Sequence, residues 1–173
     1  MTADELDGRI GEGWSGTTPN GSHINIVLAK RGSPTGAAIV GALAAPRPGH
    51  VPFLACVEPG TVVRPVTVVV NKTTLGDELL DNLTWGAGQL GVAQGVLDAV
   101  ADGIIPSALA DSLVILVALW IDVLARDEAA LKVAVRGAVR AALEDAVRDR
   151  PPDHAAKLAA GRESARNHYY KGG

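Results

Sequence analysis

A chain of 173 residues with 16 basic and 19 acidic side chains carries a net charge of −3, which offers no broad positive field to nucleic acid phosphates or to an anionic membrane surface. The length suits one domain, residues 1–173, with enough chain to bury a sizeable core. The one cysteine, Cys56, excludes an internal disulfide and a thiolate metal cluster; placed in Phe53-Leu54-Ala55-Cys56-Val57, it reads as a small core residue.

The acidic start, Met1-Thr2-Ala3-Asp4-Glu5, has no apolar run and is no signal peptide. Residues 1–21 are rich in Gly, Thr and Ser and read as an irregular lead-in. His23 to Ala29 reads as a strand. Strand side chains alternate between faces, so Ile24, Ile26 and Leu28 point into a core while His23, Asn25 and Val27 point the other way. Ser33 and Pro34 suit the N-cap and first position of a helix that runs to about Ala45, where Pro46 stops it. Val51–Val57 and the β-branched run Val66–Asn71 predict two further strands.

Apolar spacing predicts helix over 77–101, broken or kinked at Trp85-Gly86-Ala87-Gly88-Gln89-Leu90-Gly91. Leu113–Ile121 reads as a buried strand, its apolar stretch far too short to span a bilayer. Residues 126–148 form an Ala-rich amphipathic helix, and the polar tail 151–173 reads as loosely ordered. The order β-α-β-β-α-β-α predicts an α+β domain with helices packed on one sheet. The absence of a leader and of a membrane span points to the cytoplasm.

Gly86 to Gly91 matches G-x-G-x-x-G, with Asp111 twenty residues beyond. A dinucleotide fingerprint follows a strand and opens a helix; here a predicted helix precedes it, so the glycines read as places of close approach. There is no nucleophile elbow, no H-E-x-x-H and no Cys/His zinc spacing, and the histidines His23, His50, His154 and His168 are scattered, so no metal site is expected. What remains are isolated polar residues at the edges of apolar elements: His23 and Asn25, then Lys72 and Thr74, then Gln89. The competing readings are a satisfied structural histidine for His23, a solvated strand end for Lys72 and a neutral hydrogen-bonding spacer for Asn25.

These residues carry a resemblance. His23-Ile24-Asn25-Ile26-Val27-Leu28 with Arg31-Gly32-Ser33-Pro34, Asn71-Lys72-Thr73-Thr74, Trp85-Gly86-Ala87-Gly88-Gln89 and Gly103-Ile104-Ile105-Pro106 resemble four motifs of the formaldehyde-activating enzymes, H-I-D-L with R-G-S-P, N-K-x-T, F-G-P-A-Q and G-[IV]-I-P. They occur in the same order and at matching spacing from about Gly11 to Asp122. The resemblance implies a ribosomal protein S5 domain 2-like fold, a homopentamer with sites between subunits, and condensation of formaldehyde with tetrahydromethanopterin to 5,10-methylenetetrahydromethanopterin and water. It places the catalytic histidine on His23 and the pterin contacts on Asn25, Leu54, Lys72, Thr74 and Gln89. The pterin is a co-substrate, and no bound cofactor is implied.

The chemistry suits a histidine. An amine adds to formaldehyde to give a carbinolamine, whose hydroxyl leaves only when a general acid protonates it, and imidazole donates near neutral pH. The sequence departs from the family pattern at Asn25, where relatives have Asp, at Ala87-Gly88 in place of Pro-Ala, at Trp85 in place of Phe, and at Asp122-Val123 in place of His-Trp. Two other readings stand beside the first: condensation with a different amine or pterin acceptor, and a non-catalytic formaldehyde- or pterin-binding protein.

Overall fold

The computed structural model describes residues 1–166 and residue 172, so His168 lies outside the described residues. Its elements are, in chain order, helix α1 (Ala3–Leu6), strands β1 (Ile10–Ser15) and β2 (Ser22–Lys30), helix α2 (Pro34–Ala42), and strands β3 (Phe53–Leu54), β4 (Cys56–Glu58), β5 (Thr61–Val62) and β6 (Val66–Asn71). Helix α3 (Glu78–Leu83), a π-helical turn (Thr84–Gly88), helix α4 (Gln89–Ala101), strand β7 (Leu113–Ile121), and helices α5 (Glu128–Val147) and α6 (His154–Ala160) follow. The fold is α+β: a five-stranded sheet in the order β1-β2-β7-β6-β3, parallel only between β6 and β7, and a separate β4–β5 ribbon. No helix among the described residues is long and apolar enough to cross a membrane.

Alternation fixes the two faces of this sheet. Ile24, Ile26 and Leu28 of β2 and Ile115, Val117 and Leu119 of β7 are buried in the main core with α4 and α5. The opposite face is covered at one end by α2, where Ile39 packs on Ala29, Val68 and Val114. Ser33 starts α2 as expected, its hydroxyl accepting from the Gly36 amide at 3.0 Å. The helix ends at Ala42, a turn short of Ala45, as Leu43 and Ala44 form a turn before Pro46. The rest of that face, at the His23 end of β2, is left open.

Four segments differ from the sequence reading. Residues 1–21 are not irregular: they hold α1 and the edge strand β1. Gly11 and Gly13 are the buried positions of that strand, and a Cβ on either would overlap a carbonyl oxygen of α5, on Ala142 and Ala138 respectively. The glycine-rich stretch 84–88 does not break the helix; one wide π turn carries α3 into α4. Gly88 lies against Leu119 and Ile121, and Gly91 and Gly95 let α4 press on Val135 and Val139 of α5. The tail contains a helix, α6. Cys56 is half-buried on β4 rather than a core residue, its thiol directed at the Leu54 carbonyl oxygen 3.7 Å away.

Candidate active site

Sheet register brings the site together. Trp14 of β1 lies opposite His23 of β2, and His23 lies opposite Trp120 of β7. In the next row stand Glu12, Asn25 and Ala118. Lys72 directly follows β6, and its amide donates to the Leu119 carbonyl at 2.7 Å, which extends the ladder by one residue. These side chains share the open face because they fall at alternate positions of their strands.

The polar groups form one chain of hydrogen bonds. His23 Nε2 is 2.7 Å from Glu12 Oε1. Lys72 Nζ is 2.9 Å from His23 Nδ1 and 2.9 Å from Asn25 Oδ1. A lysine ammonium has only donors, so when Lys72 is charged His23 Nδ1 accepts and Nε2–H donates to Glu12. The Trp14 ring stacks on the imidazole, with centroids 4.2 Å apart and planes 13° apart. Trp120 tilts against Trp14 at 5.8 Å. Trp14, His23, Asn25, Lys72 and Trp120 line an open groove of about 480 Å³.

Burial under these rings sets the acidities. His23 lies below the ordinary histidine value, chiefly because burial penalises the imidazolium. Its bond to Glu12 pushes the other way, and the Lys72 charge pushes it down again. Lys72 is lowered to about 8, again by burial, with the Glu12 charge acting against the shift. Among the described residues no three His, Cys, Asp or Glu side chains converge to hold a metal ion.

The other residues singled out from the sequence lie elsewhere in the chain. Thr74 is exposed, and its hydroxyl donates to His50 Nε2 at 3.2 Å, while His50 Nδ1–H donates to the Asn71 carbonyl at 2.9 Å. Asn71 pins the same loop through its amide, which donates to the Gly49 carbonyl at 2.7 Å and the Thr73 carbonyl at 2.5 Å. Leu54 is half-buried on the edge strand β3, packed on the small cluster under α2. Gln89 is half-buried at the start of α4, on the helical side of the sheet. Beside it Trp85 stacks on Phe53 at 5.2 Å.

A profile of the formaldehyde-activating enzyme (Fae) family matches residues 10–170. The chain belongs to the formaldehyde-activating enzyme family. It is 39% identical over 123 residues to the 5,6,7,8-tetrahydromethanopterin hydro-lyase of Methanosarcina barkeri, a match covering 71% of this chain and 69% of that protein. It is 36% identical over 116 residues to the bifunctional enzyme Fae/Hps of Archaeoglobus fulgidus and 33% identical over 122 residues to that of Methanothrix thermoacetophila. Those matches cover 67% and 70% of this chain but only 29% and 31% of the bifunctional proteins.

In this family member the structure joins His23, Asn25 and Lys72 directly, whereas no hydrogen bond among the described residues links Leu54, Thr74 or Gln89 to them. Sequence reading missed Glu12, Trp14, Trp120 and His50. Glu12 and Trp14 alternate with glycines, so the strand that aims them gave no apolar pattern. Their signal was the alternation itself, Gly11-Glu12-Gly13-Trp14, with every second side chain absent.

Proposed function

We propose that this formaldehyde-activating enzyme family member is a carbon–oxygen hydro-lyase that condenses formaldehyde with tetrahydromethanopterin, giving 5,10-methylenetetrahydromethanopterin and water. The observation that carries this reading is the 39% identity to the Methanosarcina barkeri protein of that name. The site geometry supports it. A carbinolamine hydroxyl becomes a leaving group only on protonation, and His23 is the general acid. The His23 Nδ1 to Lys72 Nζ contact, at 2.9 Å, gives a proton a direct path between the two groups. Asn25 positions Lys72, and the groove between Trp14 and Trp120 holds the reactants together, which supplies much of the rate in a two-molecule condensation.

Leu54, Thr74 and Gln89 complete the acceptor site from a neighbouring subunit. Among the described residues no hydrogen bond joins them to His23, Asn25 or Lys72 within one chain, which is the reason to place the site between subunits of a homopentamer. The enzyme works in the cytoplasm. The direct test mixes the protein with formaldehyde and either tetrahydromethanopterin, other reduced pterins or simple diamines. Methylene-adduct formation is followed by absorbance and mass spectrometry against the spontaneous rate. Acceleration with tetrahydromethanopterin is expected. Acceleration only with another amine would reassign the acceptor, and none with any acceptor would leave a binding protein.

A further inference from the structure

We propose that Lys72 is a covalent carrier of formaldehyde: its Nζ, held between His23 Nδ1 and Asn25 Oδ1 in the groove walled by Trp14 and Trp120, takes formaldehyde as an iminium and passes the methylene carbon to the acceptor. The inference rests on the reading of formaldehyde as substrate and goes beyond it, because it makes a side chain of this chain the first amine to react.

Two features of the site point to it. Lys72 is half-buried, yet both hydrogen bonds of its amine go to groups without negative charge, an amide oxygen and an imidazole nitrogen. The carboxylate that acts on it, Glu12, stands on the far side of the imidazole. An ammonium so placed loses hydration without gaining a direct counter-ion, which favours the free amine. The same proton that leaves Lys72 has a place to go. With the proton on Nδ1, His23 is an imidazolium whose Nδ1–H donates to the Lys72 amine and whose Nε2–H donates to Glu12, a charge-assisted pair at 2.7 Å. Nucleophile and acid then stand next to each other.

The step balances. The Lys72 amine adds to the carbonyl carbon and becomes a carbinolamine, its N–H proton passing to the new hydroxyl oxygen. The imidazolium gives its Nδ1 proton to that hydroxyl, water leaves, and the lysine iminium remains beside neutral His23. One acceptor nitrogen adds to the methylene carbon. Its proton moves to the lysine nitrogen, the lysine–carbon bond breaks, and the second acceptor nitrogen closes the ring. The proton released there returns to His23. Formaldehyde and acceptor are converted to methylene-acceptor and water, with both side chains restored. Among the described residues, the ionisable side chains facing Lys72 are His23, in direct contact, and Glu12, beyond it.

The test uses the full chain with formaldehyde and cyanoborohydride, which reduces an iminium to an N-methyl amine, near neutral pH and without acceptor. Short-time peptide mass spectrometry follows each lysine. An amine lowered to about 8 exposes far more free base than an ordinary lysine. Lys72 is therefore expected to gain its methyl group roughly tenfold or more faster than Lys157. Asn25→Asp supplies the missing counter-ion without changing side-chain size and is expected to bring Lys72 down to the rate of Lys157. Adding acceptor before the reductant is expected to discharge the adduct. Labelling of Lys72 no faster than Lys157, or unchanged by Asn25→Asp, overturns the carrier. Because the labelling contains no acceptor, its outcome is independent of the pterin. Selective labelling with no pterin turnover would sink the proposed acceptor alone, and pterin turnover with unselective labelling would sink the carrier alone.

Discussion

At Glu12, His23, Lys72 and Asn25, one line of hydrogen bonds runs across the sheet from β1 to the end of β6, and Glu12 and Lys72 both act on the acidity of His23. Burial holds His23 below its ordinary value, and Glu12 is what limits the fall. A general acid works while protonated, so activity is lost as pH rises through its pKa. Glu12→Gln removes both the carboxylate charge and the bond that favours imidazolium, so the His23 pKa falls further. The alkaline descent of the pH–rate profile is then expected to move to lower pH, with a drop of about three- to tenfold at neutral pH. A profile that stays in place would remove Glu12 from the machinery. His23, Asn25 and Lys72 were legible in the sequence as polar residues at the ends of apolar strands. Their mutual contact was not, because it depends on β7 lying between β2 and β6, and nothing local in the sequence encodes that order.

At the scale of elements, β2 was readable from its polar and apolar alternation, β6 from its β-branched run, β7 from its continuous apolar run and α5 from its apolar stripe. Strand β1 was not, since its buried positions are glycines chosen by the close approach of α5, and glycine alternation mimics a loop. The π turn escaped for a similar reason: the glycines that suggested a break are instead where α4 meets β7 and α5. Gly13→Ala tests this packing. The added methyl overlaps the Ala138 carbonyl oxygen, so strand and helix must separate. A loss of about 1–3 kcal/mol is expected from urea unfolding, the usual cost of overpacking a tight core. Stability equal to the unchanged protein would mean that α5 does not press on β1. Because Glu12 and Trp14 flank Gly13 on the open face, the same variant is also expected to slow the condensation.

For the whole molecule, the six residues that the family resemblance singled out do not all meet within one chain. His23, Asn25 and Lys72 are hydrogen-bonded together on the open sheet face, Leu54 lies on that face in the cluster under α2, Thr74 is exposed and bonded to His50, and Gln89 lies at the start of α4 on the helical side. The proposed shared site requires a homopentamer in which Leu54, Thr74 and Gln89 of one subunit meet the His23 site of the next. Sedimentation at micromolar protein is expected to give five copies, and a monomer would remove the shared site. The fold class was legible from element order, and the family from four spaced motifs; the sequence did not reveal that Gln89 lies on the helical side of the sheet. The most direct measurement is the formaldehyde condensation rate with tetrahydromethanopterin, corrected for the spontaneous reaction, in the unchanged protein and in folded His23→Ala. A rate well above background that falls by about 10²- to 10⁴-fold in the variant is the predicted result; equal rates in the two proteins would contradict the assignment of His23 as the general acid.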